Sequence, residues 1–101
     1  VKDAFDAHSS MDMKALDRLV RVAVRMMDNV VDASRFPLPE QAAEAKAKRR
    51  IGLGVTGLAD ALLMVGLRYG SEEAAKVTEV WMHAIARAAY LASVDLAKEK
   101  G

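Results

Sequence analysis

Three glycines, Gly52, Gly54 and Gly57, follow the basic triplet Lys48, Arg49 and Arg50. Their spacing is the G-x-G-x-x-G that lets backbone amides approach a pyrophosphate in dinucleotide-binding loops. That chemistry needs a strand before the glycines, a helix opening at them, and a second strand about 20 residues on that ends in an acidic residue for the ribose. Glu72 and Glu73 lie near that distance, but they follow Gly70 and Ser71 and open a helical pattern instead of closing a strand. The glycines therefore read as a buried strand passing into a helix at close quarters, with positive φ angles or a near backbone that leaves no room for side chains.

Asp60 is the one charged residue in the apolar run from Leu58 to Leu67, and a carboxylate in such surroundings must be paired or hydrogen-bonded. Near a helix start it accepts from backbone amides and sits at the positive end of the dipole. Its role reads as structural, because no partner base or nucleophile stands nearby. Thr56 is placed to cap the same helix. Gly52, Gly54, Thr56, Gly57 and Asp60 are thus the candidate site residues, all of them structural.

Lys46, Lys48, Arg49 and Arg50 form the one basic cluster, and without interleaved aromatic residues they point to carboxylate pairing rather than to direct nucleic-acid contact. His8 and His83 are far apart and belong to no ligand motif, so no metal site is expected. Cysteine is absent, which removes disulfides, thiolate metal sites and thiol chemistry from these residues. No catalytic residue is assigned.

The elements that must position these residues are mostly helical. At 101 residues there is room for one small domain. Hydrophobic residues make up 52% of the chain and are mainly alanine, leucine, valine and methionine, which favours helix. Fifteen basic residues against fourteen acidic ones give no field to draw the chain to nucleic acid or to an acidic membrane. No apolar run approaches the roughly 20 residues of a membrane span, and a cytoplasmic setting is expected. The chain opens on Val1 instead of methionine, which suggests an internal fragment.

Ser9 and Ser10 are expected to start a first helix, with Asp12 in its first turn. Its buried face would hold Leu16, Leu19, Val20, Ala23, Met26, Met27, Val30 and Val31, widened by Val22 and Val24. Arg18, Arg21, Arg25, Asp28 and Asp32 form a charged edge on the same helix, solvated or at an interface. Pro37 and Pro39 end it, and Glu40 to Lys48 reads as a short helix with exposed charge. Ile51 to Val55 is apolar on both faces, like a fully buried strand. A short helix from Leu58, apolar nearly all round, should lie in the middle of something larger. Ser71 then caps a long helix that ends near Lys98, Lys100 and Gly101, with a stripe of Val77, Val80, Trp81, Ala84, Ile85, Ala88, Leu91, Ala92 and Leu96 facing inward.

The run RMMDNVVD from Arg25 to Asp32, followed by Pro37 to Gln41 and then RRIGLGVTGLAD from Arg49 to Asp60, resembles the catalytic chain of ribonucleotide reductase. The likeness extends from about Phe5 to Gly101, so residues 1–101 read as a partial segment of that family's barrel domain. The run PLPEQAAEAKAKRRIGLGVTGLADAL with the later GLRYGS looks most like the adenosylcobalamin-dependent class II enzymes, with a class I large subunit as the alternative.

The resemblance implies reduction of ribonucleotides at the 2′ carbon, giving deoxyribonucleotides for DNA synthesis. It also implies a ten-stranded α/β barrel around a cysteine thiyl radical, a cysteine pair that supplies electrons, and adenosylcobalamin as the radical source. Partners implied for the intact enzyme are ribonucleotide substrate, nucleotide effectors, a thiol reductant and a second copy in a homodimer. The missing cysteines depart from the family pattern, so neither radical nor reducing pair lies among these residues and the segment alone should be inert. A reading of another class is a stand-alone helical interaction module whose apolar faces are covered by self-association or by a partner. The fold expected for the segment is mostly α, with three main helices and a short buried strand.

Overall fold

The hydrophobic and charged spacings resolve into four helices in the computed structural model, which describes residues Val1–Gly101. They are α1 (Met13–Ala33), α2 (Pro39–Lys48), α3 (Leu58–Met64) and α4 (Glu72–Lys100). The mostly helical fold class is as read. None of the helices is long and apolar enough to cross a membrane.

Helix α1 begins later than the serines suggested: Asp12 is its cap, and the carboxylate accepts from the Ala15 amide at 3.1 Å. It ends at Ser34, whose hydroxyl donates to the Val30 carbonyl at 2.6 Å, before either proline is reached. Pro39 opens α2 instead, where its fixed φ suits a first helical residue. The serine cap of α4 is as expected. Ser71 Oγ accepts from the Ala74 amide at 3.2 Å, Glu72 and Glu73 fill the first turn, and Lys98 and Lys100 the last.

Helix α4 spans 29 residues, roughly 43 Å at 1.5 Å per residue, and the rest of the chain packs along it in two places. Val20 and Val24 of α1 pack with Ala88, Ala92 and Leu96, and the two alanines let the helix axes come close. Nearer the start of α4, Leu62 of α3 packs with Ala74 and Trp81, joined by Met11, Leu58, Val65 and Leu67. The molecule is accordingly elongated, 55 × 25 × 19 Å.

The two long helices run parallel. Arg21 donates to Asp95 at 3.1 Å and Arg25 to Glu99 at 2.8 Å, and each pair is 74 positions apart. A constant positive offset of that kind arises only when both helices advance in the same direction. The connection must then travel back along the molecule, through α2, the segment from Arg50 to Gly57, and α3.

The short buried strand is not present. Residues 51–57 form no ladder and are exposed, and the only bridge in the chain joins Lys2 to Ser10 near the N-terminus. The physical reason is the lack of a neighbour, since a strand exists only where another backbone accepts its hydrogen bonds. Side chains along the segment also alternate: Ile51, Leu53 and Val55 at 40%, 39% and 48% exposure are interleaved with Gly52, Gly54 and Thr56. Only one face is therefore strongly apolar.

Helix α3 is also shorter than its apolar run. It stops at Met64 in a Schellman turn: Gly66, at φ +79, donates to Leu63 at 3.0 Å, and Leu67 donates to Leu62 at 2.9 Å. Leu67 closes over Leu62 as that motif requires. Only Leu62 of this helix is buried, while Leu63 is 57% exposed. The surrounding cover that the apolar run calls for is not supplied within the chain, where eight of 101 residues are buried.

Candidate functional site

Asp28 and Asp32 stand four residues apart on α1, so their carboxylates share one edge of the helix. Two cations from distant parts of the chain converge on them. Arg49, the C-cap of α2, donates from Nε to Asp28 Oδ1 at 2.8 Å, from Nη1 to Asp32 Oδ1 at 2.7 Å, and from Nη2 to the Asp28 carbonyl at 3.0 Å. Lys100, the last residue of α4, donates to Asp28 Oδ2 at 2.5 Å, to Asp32 Oδ2 at 3.1 Å and to Asn29 Oδ1 at 3.0 Å. Asp28, Asn29, Asp32, Arg49 and Lys100 thus tie the ends of α1, α2 and α4 into one knot.

Asp28 is the most enclosed member, its side chain only 13% exposed. The hydrogen bonds from Arg49, and then those from Lys100, hold its carboxyl below the ordinary range, and the same two donors bring Asp32 down to about 2. Arg49 and Lys100 are shifted up in return, each by the carboxylates it binds. The knot lines a cleft of about 630 Å³ together with Val24, Ile51, Leu96, Ala97, Lys46 and Lys48.

Chemically this arrangement is a clamp. Every carboxylate oxygen already accepts from a cation, so neither aspartate is free to act as a base. No group of three or more histidine, cysteine or acidic side chains is arranged to hold a metal ion. What the cluster supplies is charge-assisted geometry, a planar guanidinium fork set on a pair of carboxylates.

The structure scatters the residues picked from sequence away from this knot. Thr56 does not cap α3; Gly57 is the cap residue, at φ +78, and glycine has no side-chain oxygen to offer the first amides. Gly52 and Gly54 do not meet a close neighbour, because a Cβ built on either finds nothing within 4 Å. Asp60 occupies the first turn of α3 as read, but its side chain is in water and makes no hydrogen bond within the chain. Exposure removes the need for a partner, because water solvates the charge.

The charged edge of α1 is an interface edge, facing α4 and Arg49. Carboxylate pairing of the basic cluster is also as read, with Lys48 bound to Glu44 and Arg49 to the aspartates. The sequence pattern places Lys100 only at the end of α4 and does not single out Glu99. A signal was available: Asp95 and Glu99 repeat at the four-residue step of Arg21 and Arg25 with opposite sign.

A family model described as the ribonucleotide reductase barrel domain matches residues 2–101. The chain belongs to the ribonucleotide reductase family. Over 95 residues it is 45% identical to a vitamin B12-dependent ribonucleoside-diphosphate reductase of Mycobacterium tuberculosis, covering 94% of this chain and 14% of that relative. A relative of the same description from Thermoplasma acidophilum is 37% identical over 91 residues, 90% of this chain and 12% of its own length. A ribonucleoside-diphosphate reductase subunit alpha of Chlamydia pneumoniae is 36% identical over 94 residues, 93% of this chain and 9% of the relative. This ribonucleotide reductase sequence therefore spans about a seventh or less of these relatives. The clamp and the glycine segment that follows it both lie inside the matched region.

Proposed function

We propose that this chain is a scaffold segment in the barrel of an adenosylcobalamin-dependent ribonucleotide reductase, which reduces ribonucleoside diphosphates to deoxyribonucleotides for DNA synthesis. The observation that carries the reading is the family match across residues 2–101, and the cobalamin dependence is supported by 45% identity to a relative of that description. With no cysteine among them, these residues do not carry the thiyl radical or the reducing pair. Their work is to hold shape.

The exposed segment gives that work a physical form. Ile51, Leu53 and Val55 offer an apolar face, Gly52 and Gly54 leave the other face nearly bare, and the backbone groups between them are unpaired in this chain. Such a segment becomes a strand when neighbouring strands are supplied, and the barrel of the parent enzyme would supply them.

The residues present do not fit adenosylcobalamin by themselves. A corrin ring needs a broad apolar surface, whereas the cleft at the clamp is lined by the charged side chains of Asp28, Asp32, Lys46, Lys48, Arg49 and Lys100 beside a few apolar ones. Both histidines are exposed, and neither lines that cleft. The cofactor, the substrate and the thiol reductant are accordingly assigned to other parts of the parent protein.

A second reading, a stand-alone helical module, is favoured by one observation. Leu19, Val22, Met26 and Val30 form an apolar stripe along α1 at 65%, 61%, 60% and 55% exposure. The test is to express the complete gene product that contains these residues and to assay ribonucleoside diphosphate reduction with a dithiol, with and without adenosylcobalamin. Turnover only with the cofactor is the expected result. Turnover that ignores the cofactor but appears when cell extract supplies another radical source selects the subunit alpha type of relative, and a folded product with no turnover under any of these conditions selects the module.

A further inference from the structure

Arg49 sits in a backbone conformation that favours glycine. As the C-cap of α2 it has φ 46° and ψ 46°, a left-handed geometry in which a Cβ crowds the following carbonyl. Glycine meets that geometry without strain, and glycines stand at positions 52 and 54, yet an arginine is found here. Its side chain accounts for the choice. Three guanidinium donors reach Asp28 and Asp32 at 2.7 to 3.0 Å, and in this backbone conformation the fork faces α1.

Immediately beyond Arg49 the chain leaves the helices. From Arg50 to Thr56 no backbone amide or carbonyl is hydrogen-bonded within the chain. The segment is thus fixed at two points: the Arg49 fork at one end, and Gly57, where α3 starts, at the other. Ile51 lines the same cleft as Arg49 and Lys100.

We propose that Arg49 is a positioning residue, whose fork onto Asp28 and Asp32 holds its own backbone left-handed and so sets the direction and register of the Ile51–Thr56 segment. The inference rests on the reading of that segment as a barrel strand. Lysine retains the charge but lacks the planar fork, and glycine suits the backbone but has no fork at all. These two substitutions separate positioning from helix capping, since a residue that only capped α2 would be improved by glycine.

The test is hydrogen–deuterium exchange of the amides at 51–57 in the complete gene product, comparing wild type with Arg49→Gly, Arg49→Lys and Asp32→Asn. Exchange is expected to quicken about tenfold or more in both Arg49 variants, while amides near Trp81 keep their wild-type rate. Arg49→Gly combined with Asp32→Asn should exchange no faster than Arg49→Gly alone, because both remove the same linkage. Wild-type exchange at 51–57 in Arg49→Gly overturns the proposal, and if that variant does not purify, wild-type exchange in Arg49→Lys does the same. Exchange is read whether or not the protein turns over ribonucleotides. A wild type without turnover therefore overturns the enzymatic reading alone, whereas unprotected amides at 51–57 in the wild type overturn the strand and this proposal with it.

Discussion

Arg25 on α1 and Glu99 on α4 meet through two hydrogen bonds, 2.8 and 3.0 Å long, across 74 positions of sequence. Their side chains are 50% and 53% exposed, so the pair fixes the register of the two helices more than it stabilises them. Glu99→Gln is expected to lower the melting temperature of the chain by less than about 4 °C, and by less still in ~1 M salt. Thermal melts followed by circular dichroism at low and high salt check this. A large, salt-independent loss would mean that the seam carries the fold.

Leu62 is 1% exposed at the centre of the cluster that seats α3 on α4. Leu62→Ala removes its contacts with Ala74 and Trp81 and the leucine contact that closes the Schellman turn. A loss of about 2 to 3 kcal/mol is expected, near the low end for a buried leucine because the outer side of α3 is open and can settle. Urea unfolding monitored by Trp81 fluorescence measures it, with Leu63→Ala on the exposed side as the near-neutral comparison.

The clamp makes stability depend on acid. Asp28 and Asp32 titrate lower in the folded chain than their ordinary 3.8, Asp32 at about 2, because Arg49 and then Lys100 bind the charged form. A lowered folded pKa gives stability that is fully present above the unfolded value and is lost as pH falls through the folded one. Lys100, raised above its ordinary 10.5, contributes below that value and loses its contribution as pH climbs past the folded pKa. Stability should therefore be level from roughly pH 5 to 10 and fall on either side. Urea midpoints across pH 2 to 7 should show the acid slope flattened in Asp32→Asn, and an unchanged slope would remove the clamp from the account.

Glycines 54 and 57 make opposite predictions in the isolated chain. Gly57, at φ +78, has open space around it but a conformation that strains any side chain, so Gly57→Ala should cost about 1 to 2 kcal/mol. Gly54 has neither a positive φ nor a neighbour within 4 Å, and Gly54→Val should stay within about 0.5 kcal/mol. In the complete gene product, where the proposed strands close around the segment, Gly54→Val should instead impair folding and turnover. Paired denaturation curves on the two proteins decide the matter, and equal tolerance in both would argue against a close approach at Gly54.

Much of the helical layout was legible because its causes are local. Ser71 with Glu72 and Glu73, and Pro39 before its alanine-rich run, mark helix starts through chemistry within one turn. The buried stripe was only half legible. Val20, Val24, Trp81, Ala88, Ala92 and Leu96 are buried, whereas Leu19, Met26, Val30, Val80 and Leu91 share the periodicity but face water. Periodicity identifies apolar faces without saying which has a partner. The expected strand is absent for a related reason, since its hydrogen bonds depend on a neighbouring backbone that this chain does not bring alongside. The clamp had its residues named in full, Asp28, Asp32, Arg49 and Lys100, but their meeting depends on α1 and α4 running parallel, which no local pattern encodes.

Parallel pairing also orders the events by which this chain acquires its shape. The α1–α4 seam closes only after some seventy residues have gone out and back, and long loops are slow to close and costly in entropy. Leu62, Ala74 and Trp81 lie much nearer one another along the chain, so the corner between α3 and α4 has a far shorter search. Structure should accumulate there first and spread along α4 towards Leu96. Synthesis runs in the other direction, so α1 is made before α3 and α4 yet packed after them.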